Sequence, residues 1–355
     1  MEVLEERILR GDYSIRELPT EQDLASEASV SRRTARRALL QLMQKGLLVR
    51  KPHGRVEVNH TTAQLTGQLR LAFLSPAFNS TDIEFWRIAT TRAADTMRAA
   101  IRGVDFVHWN DPVIPQTLSS FDGVFLVPSS EPIPKGVLER FNQAKNLVVL
   151  DGDLTSYGVP SIELMRPGFL DLLADHLYEL GHRRIYCFNT QPHDDVIKRR
   201  IEQWLFWQKV HGVAGRLIDE PVEPYGDPGR AAYEVIDRML TAGDFDATGL
   251  ICLTGHAAIS AVRALHDHGQ RVSQDVSVCA LCGDALTRYL LPSQTAVRLP
   301  DPTRYLSVCI EWLARPGQPW VGPLLIQPSN ISLFKGESTG PVKGQLERND
   351  SPGRA

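Results

Sequence analysis

Apolar residues recur at helical spacing in three short segments within the first sixty residues. The apolar positions of the three predicted helices are Val3, Leu4, Ile8 and Leu9, then Leu24, Ala25 and Ala28, then Ala35, Ala38, Leu39, Leu42 and Met43. Gly11 is expected to end the first helix. Thr20 followed by Asp23 is typical of a capping box at the start of the second helix, and Ser31 is the predicted N-cap of the third.

A β-hairpin is predicted directly after the third helix. Apolar runs at residues 47–50 and 56–58 flank a basic turn at residues 51–55. Gly54 within that turn allows the chain to reverse and to approach another backbone closely. Three short helices followed by a small hairpin predict a compact N-terminal domain over residues 1–60.

The rest of the chain alternates between short apolar runs and helical patterns. Strands are predicted at residues 69–74, 104–108, 123–127, 147–150, 184–188, 250–253 and 276–279, and helices at residues 83–100, 169–180, 201–210 and 257–268. This alternation is typical of parallel sheets built from right-handed βαβ units. About 265 residues of it predict an α/β protein with two such sheets. Polar residues on either side predict a linker at 61–68 and a disordered tail at 340–355.

The composition indicates an ordinary globular protein. Hydrophobic residues make up 43% of the 355 residues, and charged residues make up 23%. The apolar runs are far shorter than the ~20 residues that cross a bilayer, and the Glu-rich start does not resemble a signal peptide. We therefore expect a cytoplasmic protein that does not associate with a membrane.

The five cysteines do not predict a metal site. They are widely spread in a chain without a predicted export signal, so reduced thiols are expected. Cys279 and Cys282 have the spacing of half a zinc site, but the strand predicted there would point them to opposite faces. The sequence also has no P-loop, nucleophile elbow or His-Glu-x-x-His motif. We expect no metal, no cofactor and no enzymatic activity.

Positive charge is concentrated near the N-terminus. The net charge is −3 overall, yet residues 1–58 contain 11 basic and 9 acidic residues. Residues 31–55 contain no acidic residue and eight basic ones, namely Arg32, Arg33, Arg36, Arg37, Lys45, Arg50, Lys51 and Arg55. The first four lie in the first two turns of the third helix, beside the positive end of its dipole. This pattern favours a polyanionic partner, although a solvated helix face or a domain kept for protein contacts would also carry it.

Double-stranded DNA is the polyanion that this arrangement suits. A helix that enters the major groove with its N-terminus first presents Arg side chains to guanine O6 and N7 and to phosphates. The hydroxyls of Ser31 and Thr34 would then reach the DNA backbone. The basic hairpin around Gly54 would reach the adjacent minor groove.

The first domain resembles the GntR family of winged helix-turn-helix regulators. The matching motifs are Leu18-Pro-Thr-Glu21, Asp23-Leu-Ala25, Val30-Ser-Arg32, Thr34-Ala-Arg36-Arg-Ala-Leu39, Leu42 and Gly46-Leu-Leu48. The DNA-contacting positions that the resemblance implies are Glu21, Gln22, Ser31, Arg32, Thr34, Arg36 and Gly54. Arg33 is added to these predicted DNA-contacting residues for its charge. It stands where the family commonly has a small residue. Gln22 stands where the family often has Arg.

The remainder of the chain resembles LacI/GalR-type regulators. The matching phrases are Phe121-Asp-Gly-Val-Phe-Leu-Val-Pro-Ser-Ser130, Val149-Leu-Asp-Gly-Asp153, His176-Leu-Tyr-Glu-Leu-Gly-His-Arg-Arg-Ile185, Ala264-Leu-His-Asp-His-Gly269, Asp275-Val-Ser-Val278 and Phe334-Lys-Gly-Glu-Ser-Thr339. For residues 69–339 the resemblance implies a type-I periplasmic-binding-protein-like fold. That fold has two α/β lobes joined by three crossings, with a small effector between the lobes.

The resemblance also implies a set of effector-binding residues. They are Asp151, Arg200, Thr254, His256 and Asp284. An Asp that accepts hydroxyl hydrogens opposite a bidentate Arg is suited to a polyol, so a sugar or sugar derivative is one expected effector. The rings expected to stack on its apolar face are those of Phe85, Trp86 or Tyr225.

The chain departs from the LacI/GalR pattern at three polar anchors. Thr254-Gly255 replaces Asn-Asp, Leu164-Met165 replaces Asp-Asn, and residues 280–283 replace Gly-Tyr-Asp-Asp. The predicted site residues also have structural interpretations. Asp151 would cap the loop after a strand, Arg200 would lie in a solvated helix start, and His256 would be a hydrogen-bonding residue at a helix start.

A transcriptional repressor is the predicted function. Two winged domains held in a homodimer would bind a pseudo-palindromic operator, and effector-driven closure of the lobes would change their spacing. The alternative is a DNA-binding regulator whose C-terminal domain has lost small-molecule binding. That domain would then serve dimerisation or bind a protein partner.

Overall fold

The computed structural model describes residues 1–13, 17–52, 54–59, 68–78, 80–283, 286–329 and 331–342. The chain divides into two compact units. The first contains residues 1–129, 133–162 and 301–326, and the second contains residues 130–132, 163–300 and the chain from 327 onward. Within the described ranges, no helix is both long and apolar enough to span a membrane. The predicted linker at 61–68 lies outside them, apart from Gln68.

The helices and strands are numbered in chain order. The helices are α1 (Glu2–Leu9), α2 (Glu21–Glu27), α3 (Arg32–Gln44), α4 (Thr81–Thr96), α5 (Val113–Ser120), α6 (Lys135–Gln143), α7 (Leu170–Glu179), α8 (Asp195–His211), α9 (Pro228–Thr241), α10 (Gly255–Asp267) and α11 (Thr303–Leu313). The strands are β1 (Leu48–Arg50), β2 (Val56–Val58), β3 (Arg70–Pro76), β4 (Ala100–Phe106), β5 (Gly123–Leu126), β6 (Leu147–Leu150), β7 (Ser161–Ile162), β8 (Ile185–Asn189), β9 (Leu217–Asp219), β10 (Gly249–Cys252), β11 (Ser277–Gly283), β12 (Thr295–Arg298), β13 (Leu325–Ile326) and β14 (Ser332–Phe334).

The three N-terminal helices and the hairpin share a small core formed by residues of this domain alone. Ile8 from α1, Leu39 and Leu42 from α3, and Leu48 from β1 are buried in it. Strands β1 and β2 pair antiparallel, with Leu48 opposite Val58. The predicted helices and hairpin are therefore present.

Two positions predicted to face this core are exposed. Val3 is 69% exposed, because five residues separate it from the buried Ile8 and a helix of 3.6 residues per turn puts the two on different faces. Ala28 is exposed at the C-cap of α2, where the chain leaves the helical path.

The first unit also contains a six-stranded parallel sheet. Its strand order is β13-β7-β6-β5-β3-β4. Every residue of β5 and β6 is buried, as expected where helices cover both faces of a sheet. The helix predicted at 83–100 is shorter in the structure. It ends at Thr96 because Arg98 takes up a left-handed backbone conformation (φ 54°) before β4 begins at Ala100.

The second unit contains another six-stranded sheet, of order β14-β12-β11-β10-β8-β9. Its strands are parallel except for the antiparallel pair β12 and β14. Helix α8 begins at Asp195 rather than at residue 201. Arg200 therefore lies in its second turn and not at its head. Trp204 and Trp207 on this helix are buried in the core.

The cysteines whose side chains are described are buried and free of disulfides. Cys279 lies in β11, the strand predicted for it, and burial raises the pKa of its thiol well above the usual range. Burial likewise raises the pKa of Cys187, Cys252 and Cys309. In the part of the chain that the structure describes, no group of three or more His, Cys, Asp or Glu residues could hold a metal ion.

The C-terminal segment is bound to the second unit as far as Val342. Ser338 is fully buried, and its Oγ donates to the Val278 carbonyl at 2.6 Å. The amide of Val342 donates to the Leu180 carbonyl at 3.0 Å. Packed structure therefore continues beyond residue 340, where the tail was predicted to begin. Residues 343–355 lie outside the described ranges.

Two buried imidazoles contact this segment. His176 Nε2 lies 3.0 Å from Thr339 Oγ1, and His182 Nε2 lies 2.9 Å from the Gly340 carbonyl. Because a carbonyl only accepts, His182 Nε2 is the donor and its Nδ1 carries no proton in the neutral ring. Burial, which disfavours the charged imidazole, is the main cause that lowers the pKa of both residues.

We predict that mild acid destabilises the protein through His182. Because folding lowers its pKa below the ordinary value of 6.5, the unfolded chain binds more protons and the free energy of unfolding falls as the pH drops through that value. Thermal unfolding of His182→Gln, which keeps a donor for Gly340, should show a smaller loss of midpoint between about pH 7.5 and about pH 5.5. The matched control His266→Gln removes an exposed imidazole and should lose as much as wild type. Equal losses in all three proteins would contradict the prediction.

Candidate nucleic-acid interface and effector site

Side-chain caps fix the geometry of the helix pair α2 and α3. Thr20 Oγ1 accepts from the Asp23 amide at 3.3 Å, and Asp23 Oδ2 accepts from the Thr20 amide at 3.2 Å, which completes the predicted capping box. At α3 the Ser31 hydroxyl accepts from the Thr34 amide at 3.2 Å, and the two hydroxyls lie 2.8 Å apart. Ser31 and Thr34 thus set the start of α3 and remain exposed beside it.

Arginines cover the exposed side of the first two turns of α3. Arg32 lies 3.7 Å from the carboxylate of Glu21 on α2. Among the described residues, no carboxylate lies within 4 Å of the guanidinium groups of Arg33, Arg36 and Arg37. The first turn of α3 also has no acidic residue. These three arginines are therefore the uncompensated charges next to the positive end of the α3 dipole.

The hairpin turn is tight and its charges are mostly paired. Gly54 has φ +82°, its amide donates to the Lys51 carbonyl at 2.8 Å, and its own carbonyl accepts from Arg50 Nη1 at 3.1 Å. Lys51 lies 3.7 Å from Glu57, and Arg55 pairs with Glu17. Gly54 is exposed.

Residues 31–55 contain no acid, but carboxylates from other parts of the domain lie next to several of their cations. Carboxylates from outside residues 31–55 pair with Arg32, Lys45, Lys51 and Arg55; they belong to Glu21, Glu5, Glu57 and Glu17. Such exposed pairs contribute little to stability and are screened by salt, so phosphates can displace them. Four of the eight predicted cations therefore have a carboxylate partner in the folded domain, and Arg33, Arg36 and Arg37 on α3 are among those with none in the described residues. The predicted residues Gln22, Ser31, Arg32, Arg33, Thr34 and Arg36 are exposed, and Glu21 is half-buried.

Three of the predicted effector residues lie in the second unit, near the carboxyl end of β10. Arg200 is 5% exposed, and its Nη1 donates to the Leu253 carbonyl at 3.1 Å. Thr254 follows directly and caps α10, where its Oγ1 accepts from the Ala257 amide at 3.4 Å. His256 is half-buried in the first turn of that helix. The structure thus brings Arg200 and the start of α10 together.

Polar residues that the sequence analysis missed lie at the same edge of the sheet. Asp194 caps α8 by accepting from the Ile197 amide at 2.8 Å. Burial raises the pKa of Asp194, and the nearby charge of Arg200 partly offsets that rise. Asp219, at the end of β9, accepts from Asn189 Nδ2 at 2.9 Å and lies 2.8 Å from His193 Nε2. A polar residue directly after an apolar strand run is the signal that could have identified them.

Two predicted effector residues, Asp151 and Asp284, remain to be located. Asp151, in the first unit, follows β6 in a left-handed conformation (φ 56°), and its amide donates to the Ile162 carbonyl at 2.9 Å. Asp284 lies outside the described residues. Trp86 was expected to offer a stacking surface, but it is 2% exposed and its ring lies edge-on to that of Phe85. That interpretation of Trp86 is wrong, because a buried ring has no free face to offer a ligand.

Family models match the two parts of the chain separately. Residues 1–58 match the model described as bacterial regulatory proteins of the gntR family, and residues 174–315 match the periplasmic binding protein-like domain. The chain joins a GntR-type helix-turn-helix domain to a periplasmic-binding-protein-like domain. The predicted resemblance is confirmed for both.

A curated relative is the HTH-type transcriptional regulator MalR of Streptomyces coelicolor. It is 26% identical over 165 residues, which are 45% of this chain and 46% of MalR. The chain therefore spans about half the length of this relative.

Solved structures share the fold of the periplasmic-binding-protein-like domain. The lac repressor dimer bound to operator and the anti-inducer ONPF has a TM-score of 0.63 at 18% identity, over 79% of this chain and 98% of the repressor. A LacI family regulator from Arthrobacter sp. FB24 in complex with lactose has a TM-score of 0.63 at 16% identity, over 77% of this chain and all of that one. The predicted α/β class with parallel sheets is confirmed.

Proposed function

We propose that this protein is a sequence-specific DNA-binding transcription regulator that acts as a repressor. The observation that carries the proposal is the group Arg33, Arg36 and Arg37 on α3, exposed and without a described carboxylate within 4 Å. Like charges held together on one helix gain most from an anionic partner. The match to the gntR model over residues 1–58 supports DNA as that partner. We propose the cytoplasm, where the DNA lies, as the place of action.

The proposed contacts follow the geometry of a winged helix-turn-helix. Helix α3 enters the major groove with Ser31 foremost, so that Arg33 and Arg36 reach base edges and phosphates. Arg32 exchanges its long contact with Glu21 for a phosphate. Gly54 brings the hairpin backbone close to the neighbouring strand of the duplex. Gln22 and Thr34 contact the DNA backbone beside them.

We predict that Arg36→Ala weakens DNA binding. The probe is a DNA duplex that the wild-type protein has selected from a random library. Loss of one guanidinium contact costs about 1–3 kcal/mol, or roughly 5- to 150-fold in affinity. Fluorescence anisotropy at several salt concentrations would also show a shallower salt dependence. The matched control Arg230→Ala removes an exposed arginine of the second unit and should bind like wild type. Unchanged affinity in Arg36→Ala would refute the assignment of α3 to DNA.

We further propose that the protein binds a pseudo-palindromic operator as a homodimer. The lac repressor structure is described as a dimer on its operator, and two recognition helices need a fixed spacing of about one helical turn. The second unit exposes large apolar side chains close together in sequence, with Leu286, Tyr289 and Leu291 exposed by 62%, 74% and 94%. A second copy of the chain is the partner that we assign to them.

Sedimentation equilibrium tests this dimer. We expect wild type to sediment as two chains and Tyr289→Asp to shift toward one chain, because a buried charge would oppose association. Val321→Asp changes an equally exposed apolar residue of the first unit and should leave the mass unchanged. A dimeric Tyr289→Asp protein would exclude this surface.

A small-molecule effector is the proposed signal. Asp151, Arg200, Thr254, His256 and Asp284 are the residues that we assign to it, and a sugar or sugar derivative is the ligand class that an Asp and an Arg together suit. The lactose complex of the Arthrobacter regulator supports this class. The effector would bind the DNA-competent and the DNA-incompetent forms of the protein with different affinities. The change in operator affinity is set by that difference.

A second candidate is a regulator whose C-terminal domain has lost small-molecule binding. The internal hydrogen bonds of the second unit favour it, since Arg200 donates to Leu253 and Thr254 is engaged in capping α10. Thr254 also stands where the resemblance implies an Asn. In that case the domain would serve dimerisation or a protein partner.

Thermal unfolding with a panel of monosaccharides, disaccharides and nucleobases separates the two candidates. A ligand at 100 times its dissociation constant stabilises by about 2.7 kcal/mol, and we expect at least one sugar to do so. Arg200→Gln should abolish that stabilisation, whereas Arg263→Gln, which changes an exposed ion pair on α10, should retain it. No stabilisation by any compound would favour the second candidate.

A further inference from the structure

A buried carboxylate links two of the segments through which the chain passes between its units. Strands β7 and β13 pair in parallel, with Ile162 opposite Ile326, and both belong to the first unit. The residues that follow them, Glu163 and Gln327, belong to the second unit. Glu163 Oε2 accepts from Gln327 Nε2 at 2.7 Å. One side chain therefore joins the two segments immediately after their last paired residues.

Helix α8 supplies the positive partner of this carboxylate. Arg199 Nη2 donates to Glu163 Oε1 at 2.8 Å, and Glu163 is 2% exposed. Removing a carboxylate from water is costly, and an apolar group of similar volume is often at least as stabilising as a buried ion pair. Stability alone therefore does not account for the cluster of Glu163, Arg199 and Gln327. The cluster is explained by the geometry that it fixes between α8 and the two segments.

The neighbouring residue of α8 reaches the candidate effector site. Arg200 donates to the Leu253 carbonyl, directly before Thr254. Further along, the helix is held at four-residue spacing by Gln203 Nε2, 2.9 Å from Asp171, and by Trp207 Nε1, 2.8 Å from Asp175. These contacts attach α8 to α7. Since Arg199 and Arg200 are consecutive residues of one helix, a displacement at Arg200 would be shared by Arg199.

We propose that Glu163, Arg199 and Gln327 form a coupling element that transmits displacement of α8 to the two crossing segments. Glu163 and Arg199 act as positioning residues, and neither is assigned to the effector or to DNA. The regulatory meaning of this coupling rests on the proposed effector site at Arg200. The coupling itself depends only on the contacts within the second unit.

Hydrogen exchange of the full-length protein, without DNA or effector, tests the coupling. In Arg199→Met the carboxylate of Glu163 loses its charged partner, and we expect amide exchange at residues 160–165 and 324–329 to accelerate about tenfold or more. The matched control Arg230→Met breaks an exposed ion pair on α9 and should leave both segments unchanged. Faster exchange confined to α8 would overturn the proposal.

A double variant separates coupling from simple destabilisation. Arg199→Met combined with Glu163→Leu leaves no buried charge unpaired, so its thermal midpoint should recover relative to Arg199→Met. Exchange at residues 324–329 should nevertheless stay accelerated, because the bond from Gln327 is lost. Exchange that returns to the wild-type rate together with the midpoint would show a purely structural role. Failure to bind DNA or sugar would count against the proposed function and would not alter this result.

Discussion

Parallel strands must be covered by helices on both faces, and most of the molecule follows from this constraint. Fully buried strands such as β5 and β6 leave only the ends of a sheet open to ligands. In the second unit the carboxyl ends of β8, β9 and β10 are followed by polar groups, including Asp219 and Thr254. Residues far apart in sequence thus meet at one edge because helices occupy the faces.

The sequence predicts those parts of the fold whose signal is local. Long apolar runs identify most of the central strands, and the caps at Thr20 and Ser31 mark two helix starts correctly. The strands β7, β9 and β13 have only two or three residues and are too short to show a period. The predicted start of α8 is wrong because three basic residues, Lys198, Arg199 and Arg200, interrupt the apolar pattern between Val196-Ile197 and Ile201. The capping residue Asp194 carries the missing signal.

Contacts between distant residues explain why the candidate sites are less predictable. Residues 31–55 contain no acid, yet Glu5 and Glu17 pair with two of the cations in this stretch across the domain. Glu163 meets Arg199 across 36 positions and Gln327 across 164. No pattern within a helix or strand encodes such pairings, because they arise only when whole elements pack. The exposed arginines of α3 were predictable since exposure follows from helical period alone.

The winged domain buries its apolar residues against one another. Ile8, Leu39, Leu42 and Val58 form a core that draws on no residue beyond this domain. A module that satisfies its own hydrophobic surface can be transferred between genes without redesign of its new neighbour. A GntR-type domain joined to a periplasmic-binding-protein-like domain is a combination that such self-sufficiency permits. The ancestry of one domain then carries no information about the ancestry of the other.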